Sequence, residues 1–452
     1  MNIIVIICDT LRRDFLGYYG NSTMRTPNID GLAAQSLIFD NAFIGSFPTI
    51  PLRAELLTGQ HVFHTTGWAP LEPGQTTLQS YLQEQGFVTA IISDNVQYLN
   101  PGMNYHVGFD ACQWIRGHQA DPWRTWHSPV EFPCDPAKLR QPEKLVVPHL
   151  RNNRNRTHER EWHDPQTVQA AIDWLEENYL QERFFLYLDL FGIHEPWDPP
   201  QHYVDMYDPG YVGEKVILPR YDRAGYMSDA ELRHCRALYA GMISMTDTWL
   251  GYLFATFKRL DLWDNSAILF MSDHGFYLGE HGFIGKHTVL DPKDGWPLYS
   301  TVSHVPLLLK LPEDLPAAGA RRISQIVQPV DLMPTLLELG GGSPPDGLHG
   351  SSLLPFLRGE DGSRRELAVS SPRLVTDPDT TVYSTITNGE WSLIDGGSRA
   401  KWELYHLPSD PSQAVNRVKD DTETAAHLHG EYIAFLERIG TAGDKIKLRS
   451  AD

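Results

Sequence analysis

The sequence predicts an α/β fold, a mainly parallel sheet sandwiched by helices, with a small antiparallel α+β domain after it. Three observations predict it. Short, unbroken apolar runs recur along the first two thirds of the chain, helical patterns stand between them, and from about residue 365 the texture changes to brief strand-like stretches and one last helix.

In order, "IIVIIC" (3–8) ends in Asp9, "FVTAII" (87–92) ends in "SDN", and "FFLYLDL" (184–190) leads to His194. "AILFMS" (267–272) ends in Asp273-His274, and "VPLLLKL" (305–311) is the fifth run. Unbroken apolar runs of this length suit strands covered on both faces. The clearest helical patterns are "NIDGLAAQS" (28–36), "TLQSYLQEQG" (77–86), "TVQAAIDWLEENYL" (167–180), the long stretch 231–260, and "DLMPTLLELGG" (331–341). Such alternation argues for an α/β sandwich. In these sheets functional residues gather outside the carboxyl ends of the strands, which is where the polar residues fall here.

Residues 112–164 interrupt the alternation. They carry Trp114, Trp123, Trp126 and Trp162, many prolines, and "RNNRNRTHER" (151–160). The arginine-rich 151–160 segment, or the Trp-containing loop before it, is expected to approach the mouth of the site. After residue 365, "TVYSTIT", "EWSLID" and "WELYHL" read as short strands, with a helix near 421–438. The expected organisation is a catalytic unit over 1–365 and a small domain over 366–452.

Composition narrows the function. The chain has 452 residues, 41% of them apolar, and a formal net charge of −19. General affinity for nucleic acid is excluded on that charge, because such binding rests on Lys and Arg neutralising phosphates. A local cationic cluster is still compatible with a small anionic substrate. The cysteines, Cys8, Cys112, Cys134 and Cys235, form no CxxC pair, so neither a zinc knot nor a disulfide framework is expected. Cys8 sits in an apolar strand and is expected to be buried. No apolar run reaches the roughly 18 residues of a membrane span. "NIIVIIC" (2–8) lacks the basic segment and cleavage site of a signal peptide, so a cytoplasmic protein without membrane partners is expected. A homo-oligomer is left open.

The stretch "SFPTIPLRAELLTG" (46–59) reads as a loop entering a short helix, with Pro51 in the first turn and Thr58-Gly59 as the stop. Thr49 and Arg53 then lie near the amino end, where free N–H groups and the helix dipole favour an anion. Thr49 is either a helix cap or a nucleophile. Asp9, Asp273 and His274 are hard or borderline metal ligands at strand ends, and "DHG" joins two of them at a Gly turn.

The chain resembles the sulfatase family, within the alkaline phosphatase superfamily, over nearly its whole length. The matching pieces run in order from "NIIVIICDTLRRDFLGYYG" and "TPNIDGLAAQSLIFDNAF" through "TIPLR", "HEPWDPP" and "MSDHGFYLGEHGFIGKH" to "WELYHLPSDPSQAVNRV". The resemblance implies a mixed, mainly parallel sheet. The family's signature is Cys or Ser, any residue, Pro, Ser, Arg, its first residue oxidised to formylglycine. Here Thr49 takes that place and Leu52 replaces the Ser. Oxidation of a secondary alcohol gives a ketone, so no formylglycine is expected. The family's Asp-Asp pair reads Asp9-Thr10, and "SDNVQ" (93–97) stands where a Lys-x-His pair usually grips sulfate.

An Asp, Thr, Asp, His set instead resembles the superfamily's phosphodiester enzymes, in which a threonine attacks phosphorus. The implied metal ligands are Asp9, Thr49, Asp273 and His274, holding one divalent cation. Mn²⁺ or Zn²⁺ suits a histidine ligand, with Ca²⁺ or Mg²⁺ as alternatives. Asp189 and His194 would begin a second metal set that nothing completes. Arg53 is expected to hold the alkoxide or a substrate oxygen, His194 to protonate the leaving oxygen, and Lys286 to stabilise equatorial charge. Asn95, His281 and His304 are further substrate-binding candidates, and His287 is a weaker one. The function this implies is hydrolysis of phosphodiesters or phosphonate monoesters through Thr49. The alternatives are a sulfate-ester hydrolase without formylglycine and an inactive ligand-binding homologue.

Overall fold

The apolar runs are the strands of a large central sheet in the computed structural model, which describes residues 1–125, 129–286, 295–315, 318–360 and 365–450. In chain order the strands are β1 (Asn2–Cys8), β2 (Leu37–Ala42), β3 (Val88–Ser93), β4 (Ala111–Trp114), β5 (Phe184–Leu190), β6 (Asp222–Arg223), β7 (Ser266–Met271) and β8 (Tyr277–Leu278). They continue as β9 (Phe283–Gly285), β10 (Leu307–Lys310), β11 (Arg321–Val327), β12 (Ala368–Ser370), β13 (Ser384–Thr387), β14 (Trp391–Asp395) and β15 (Trp402–His406).

The large sheet runs β11-β2-β10-β7-β1-β5-β3-β4. Every pairing in it is parallel except those of β10, which is antiparallel to both β2 and β7. It is therefore mixed and mainly parallel, as expected. Alternate residues of β1 enter opposite cores. Ile4, Ile6 and Cys8 pack with helices Pro27–Ala33, His163–Asn178 and Asp229–Arg259. Ile3, Val5 and Ile7 pack with helices Thr49–Thr58, Leu78–Glu84 and Leu332–Leu339. Burial on both faces is why the run is unbroken.

Three strands carry no such run. In β2 buried and half-buried residues mix, β4 is largely exposed at the sheet edge, and Arg321 and Arg322 leave β11 exposed at the other edge. The sheet β12-β13-β14-β15 is antiparallel throughout. Leu393 and Leu404 from it meet Tyr432 and Phe435 of the helix Thr422–Arg438. All four cysteines are free, and Cys8 is buried. No helix among the described residues is long and apolar enough to cross a membrane.

Candidate active site

β7, β1 and β5 are neighbours, so their carboxyl ends open at one place. Asp9 follows β1, Asp273 and His274 follow β7, and Asp189 is the penultimate residue of β5, paired in register with Ile7. The helix Thr49–Thr58 delivers Thr49 and Arg53 to the same place, and it ends at Gly59 in the left-handed region. Asp9, Arg53, Asp189, Asp273 and His274 are completely buried. A Cβ on Gly275 would fall on the Thr301 carbonyl, so the glycine after His274 is required by close backbone approach.

Arg53 is the hub. Its Nε donates to Asp189 Oδ2 at 2.6 Å and its Nη2 to Asp189 Oδ1 at 2.7 Å, a two-pronged pair. Nη2 also donates to Asp9 Oδ2 at 3.0 Å, and Nη1 to Asp273 Oδ2 at 2.7 Å and to the Thr49 carbonyl at 3.0 Å. A guanidinium has five N–H donors, and all five are used. The expectation that Arg53 holds an alkoxide or a substrate oxygen is thereby corrected: it gathers and neutralises three buried carboxylates. Asp189 differs from Asp9 and Asp273 in that Arg53 takes both of its oxygens, and Tyr98 also donates to its Oδ2 at 3.0 Å, so it is held as an arginine partner.

Asp9, Asp273 and His274 present ligand atoms that all lie within 4.8 Å of one another. The Nδ1–H of His274 donates to the Gly275 carbonyl at 3.0 Å, which leaves a lone pair on Nε2. Thr49 Oγ1 lies 3.3 Å from that Nε2 and Lys286 Nζ lies 3.1 Å from it. Burial, with the charge of Lys286 beside it, pushes the His274 imidazole down to about 3 and keeps it neutral. Burial and the neighbouring Asp273 push the Asp9 carboxyl well above its ordinary range. Burial opposes the charge on Asp273, but the positive groups around it, Arg53 among them, hold it below the carboxylate range. Two carboxylates, one imidazole lone pair and a hydroxyl fit a borderline divalent cation. Thr10 completes the setting: at φ 64 its N–H donates to Asp273 at 2.8 Å and its hydroxyl to Asp9 at 2.7 Å.

Thr49, His194 and Lys286 line one cavity of about 590 Å³. Thr49 is the first residue of its helix, and Pro48 takes the cap position before it. His194 donates from Nδ1 to the Glu195 carbonyl at 2.7 Å, and its ring stacks on Phe191 at 4.3 Å. Burial and the charge of Lys286 push it well below the ordinary histidine value. It therefore stands as a neutral ring with Nε2 as an acceptor. Burial also lowers Lys286, against the pull of Glu195, Asp9 and Asp273.

Other expected residues lie elsewhere. Asn95 is fully buried and caps the short helix Val96–Leu99, accepting from the Gln97 N–H. His281 stacks on Tyr299 beside a different cavity. His304 bonds the Asp40 carbonyl and stacks on Phe43. None of these three lines the cavity of Thr49. His287 and Trp126 lie outside the described residues. The loop before the arginine-rich stretch reaches the cavity through Gln119, Ala120, Arg140, Gln141, Lys144 and Leu145. The arginine-rich stretch borders a pocket of its own, and Arg156 there pairs with Asp198 at 3.0 Å. Asp94, His118 and His163 form a second cluster of buried ligand-type groups. Arg156 donates to His163 Nδ1 at 2.9 Å, so the neutral ring's proton sits on Nε2. Sequence reasoning missed Glu195, a buried carboxylate bonded by the Tyr221 hydroxyl and 3.6 Å from Arg140. It also missed the charge-gathering part of Asp189, although an acid inside "FFLYLDL" was the available signal.

The sequence matches the family Sulfatase over residues 1–342, and N-sulphoglucosamine sulphohydrolase, C-terminal, over residues 279–434. It is 23% identical to an arylsulfatase of Clostridium perfringens (strain 13 / Type A), covering 97% of this chain and 93% of that one. The phosphonate monoester hydrolase of Agrobacterium radiobacter superimposes with a TM-score of 0.73 at 20% identity, over 97% of this chain and 96% of that one. A protein whose structure is in complex with its substrate D-glucosamine-2-N,6-O-disulfate superimposes with a TM-score of 0.74 at 19% identity, over 98% of this chain and 99% of that one. At these identities the structural likeness carries the fold.

Proposed function

The chain belongs to the sulfatase family, and we propose that within it this protein is a metal-dependent hydrolase of phosphodiesters or phosphonate monoesters with Thr49 as nucleophile. The observation that carries this reading is the position of Thr49 Oγ1. It lies at the start of a buried helix, 3.3 Å from His274 Nε2, on the wall of a cavity shared with His194 and Lys286. A threonine there has no route to an aldehyde, so the hydroxyl itself is the group available to attack.

A divalent cation held by Asp9, Asp273, His274 and Thr49, with Mn²⁺ or Zn²⁺ favoured, would lower the pKa of a hydroxyl and neutralise an ester oxygen. The chain's own residues do the rest. Thr49 Oγ1 forms a bond to phosphorus as the P–O bond to the alcohol breaks, and the alcohol oxygen leaves with the electron pair. His194 begins as a proton acceptor, so the proton it gives to the leaving oxygen is first taken from the attacking hydroxyl. Lys286 places positive charge beside the non-bridging oxygens. Water then attacks phosphorus, the P–Oγ1 bond breaks with its electron pair on Thr49, and the proton lost by the water restores the Thr49 hydroxyl. Arg53 holds Asp9, Asp189 and Asp273 in place without touching the substrate.

Hydrolysis of sulfate esters is the second reading, favoured by the arylsulfatase relative and by the neighbour bound to a sulfated sugar. A chromogenic panel on metal-reconstituted protein separates the two: aryl sulfate, phosphate monoester, phosphate diester and phosphonate monoester. The expected result is fastest turnover of the diester or phosphonate, and a loss of about a hundredfold or more in Thr49→Ala. Fastest turnover of the sulfate selects the second reading. Absence of turnover with every ester leaves a ligand-binding homologue.

A further inference from the structure

We propose that the alcohol portion of the substrate carries a second anionic group, a carboxylate, sulfate or phosphate, which Arg373, Lys144 and Arg140 bind at the rim of the cavity. This rests on the hydrolase reading above and names its substrate class more closely. The described lining of the cavity carries four cationic side chains, Arg140, Lys144, Lys286 and Arg373, and no carboxylate among the described residues. This occurs in a chain of net charge −19, so the cavity reverses the sign of the molecule.

The four are not equivalent. Lys286 is buried beside Thr49 and His194, where the ester itself sits. Lys144 and Arg373 are exposed and Arg140 is half-buried, so these three stand nearer the opening. Arg140 is flattened over the Tyr221 ring at 4.1 Å and is partly answered by Glu195 at 3.6 Å. Neither Lys144 nor Arg373 has an ion-pair partner among the described residues. Like charges lining one cavity repel, and an ester of a neutral alcohol would leave them uncompensated. A second anion on the alcohol removes that cost and turns the repulsion into affinity and steering.

The rim is assembled from separate parts of the chain. Arg140 and Lys144 come from the insertion after β4, and Arg373 comes from the segment between β12 and β13. Gly67, at φ +61, makes the seat for Arg373: a Cβ there would press on the arginine's stem at 2.7–2.9 Å. Trp68 lines the same cavity beside the cations, an aromatic neighbour that suits an anion borne on a ring.

The test is a set of aryl esters of the reactive group that the panel finds best, with 4-carboxyphenyl, 4-sulfophenyl and 4′-carboxybiphenyl alcohols. The neutral 4-carbamoylphenyl ester is the control of matched shape. The expected result is a kcat/KM ratio of anionic to neutral ester of about tenfold or more at low salt, about 1.4 kcal/mol, shrinking as added salt screens the rim. In the double variant Arg373→Glu/Lys144→Glu the ratio falls to one or below. A wild-type ratio of one or less for every anionic ester overturns the proposal, as does an unchanged ratio in the double variant. If no ester is turned over, the hydrolase reading fails separately. The rim is then tested by calorimetric binding of 1,4-benzenedisulfonate against benzenesulfonate. Tighter binding of the disulfonate that the double variant loses sustains the second anion site, and equal affinity overturns it.

Discussion

Thr49 and Arg53 stand one turn apart on the same helix, yet the structure gives them opposite surroundings. Thr49 Oγ1 opens on the cavity, whereas every N–H of Arg53 is spent on protein oxygens. Different variants therefore report different things. Thr49→Ser keeps a hydroxyl but loses the methyl that limits rotation, so it is expected to retain partial turnover while Thr49→Ala does not. Stopped-assay kcat on the best substrate checks this, and parent-level turnover in Thr49→Ala would rule the residue out as nucleophile. Arg53→Gln strands three buried carboxylates. Removing one partner of a buried ion pair costs about 3–5 kcal/mol, and a loss of that order is expected in urea unfolding of the metal-free protein. Arg53→Lys is expected to be intermediate, because an ammonium has three donors and no planar fork.

The helix that carries both residues is itself held by a buried carboxylate. Glu55 Oε1 accepts from the Ser46 N–H at 2.7 Å and the Ser46 hydroxyl at 2.6 Å, and it meets His61 Nδ1 at 2.7 Å. These bonds tie the middle of the helix to the loop that enters it. Gly45 leaves room for that carboxylate, since a Cβ there would fall on it. Glu55 cannot yield without releasing Ser46. Gly45→Ala is therefore expected to destabilise by about 1–3 kcal/mol, the usual cost of overpacking, and to lower kcat by displacing Thr49. Thermal melting and kinetics on one preparation check both; an unchanged melting temperature would show that the carboxylate has another place to go.

At the scale of the whole molecule, stability is linked to metal and to protons. A cation that binds only the folded chain adds about 1.4 kcal/mol for each tenfold rise in its concentration above Kd. Stripped protein is expected to melt progressively higher as Mn²⁺ or Zn²⁺ is returned, and Asp273→Asn to lose that dependence. Proton linkage is read at His64, a buried ring pushed down to about 4 by burial and by His61 and Lys445 beside it. Its ordinary value is about 6.5, so between those limits the unfolded chain holds a proton that the folded chain refuses. The contribution is complete above pH ~6.5 and is lost as pH falls toward 4. Asp247, pushed up to about 6 by burial, acts with the opposite sign. The measurement is accordingly the difference between parent and His64→Gln in melting temperature from pH 7 to pH 4.5, and the variant is expected to fall less steeply.

The sequence by itself determined the strands buried on both faces, because two-sided burial writes an unbroken apolar run, and it determined which residues stand at their ends. It marked Asp9, Thr49, Asp273 and His274, since each directly follows an apolar run or opens a helix with recognisable start and stop residues. It did not determine β2, β4 or β11, whose half-exposed or edge positions leave no such run. Only the tertiary structure decided what Arg53 touches, because its carboxylates come from β1, β5 and the turn after β7, and strand order is not written in any one segment. The same holds for Asn95, His281 and His304, polar residues that local bonds or ring stacking hold away from the cavity. The cationic rim is the extreme case. Arg140, Lys144 and Arg373 are ordinary surface residues along the chain, and only the fold places their charges around one opening.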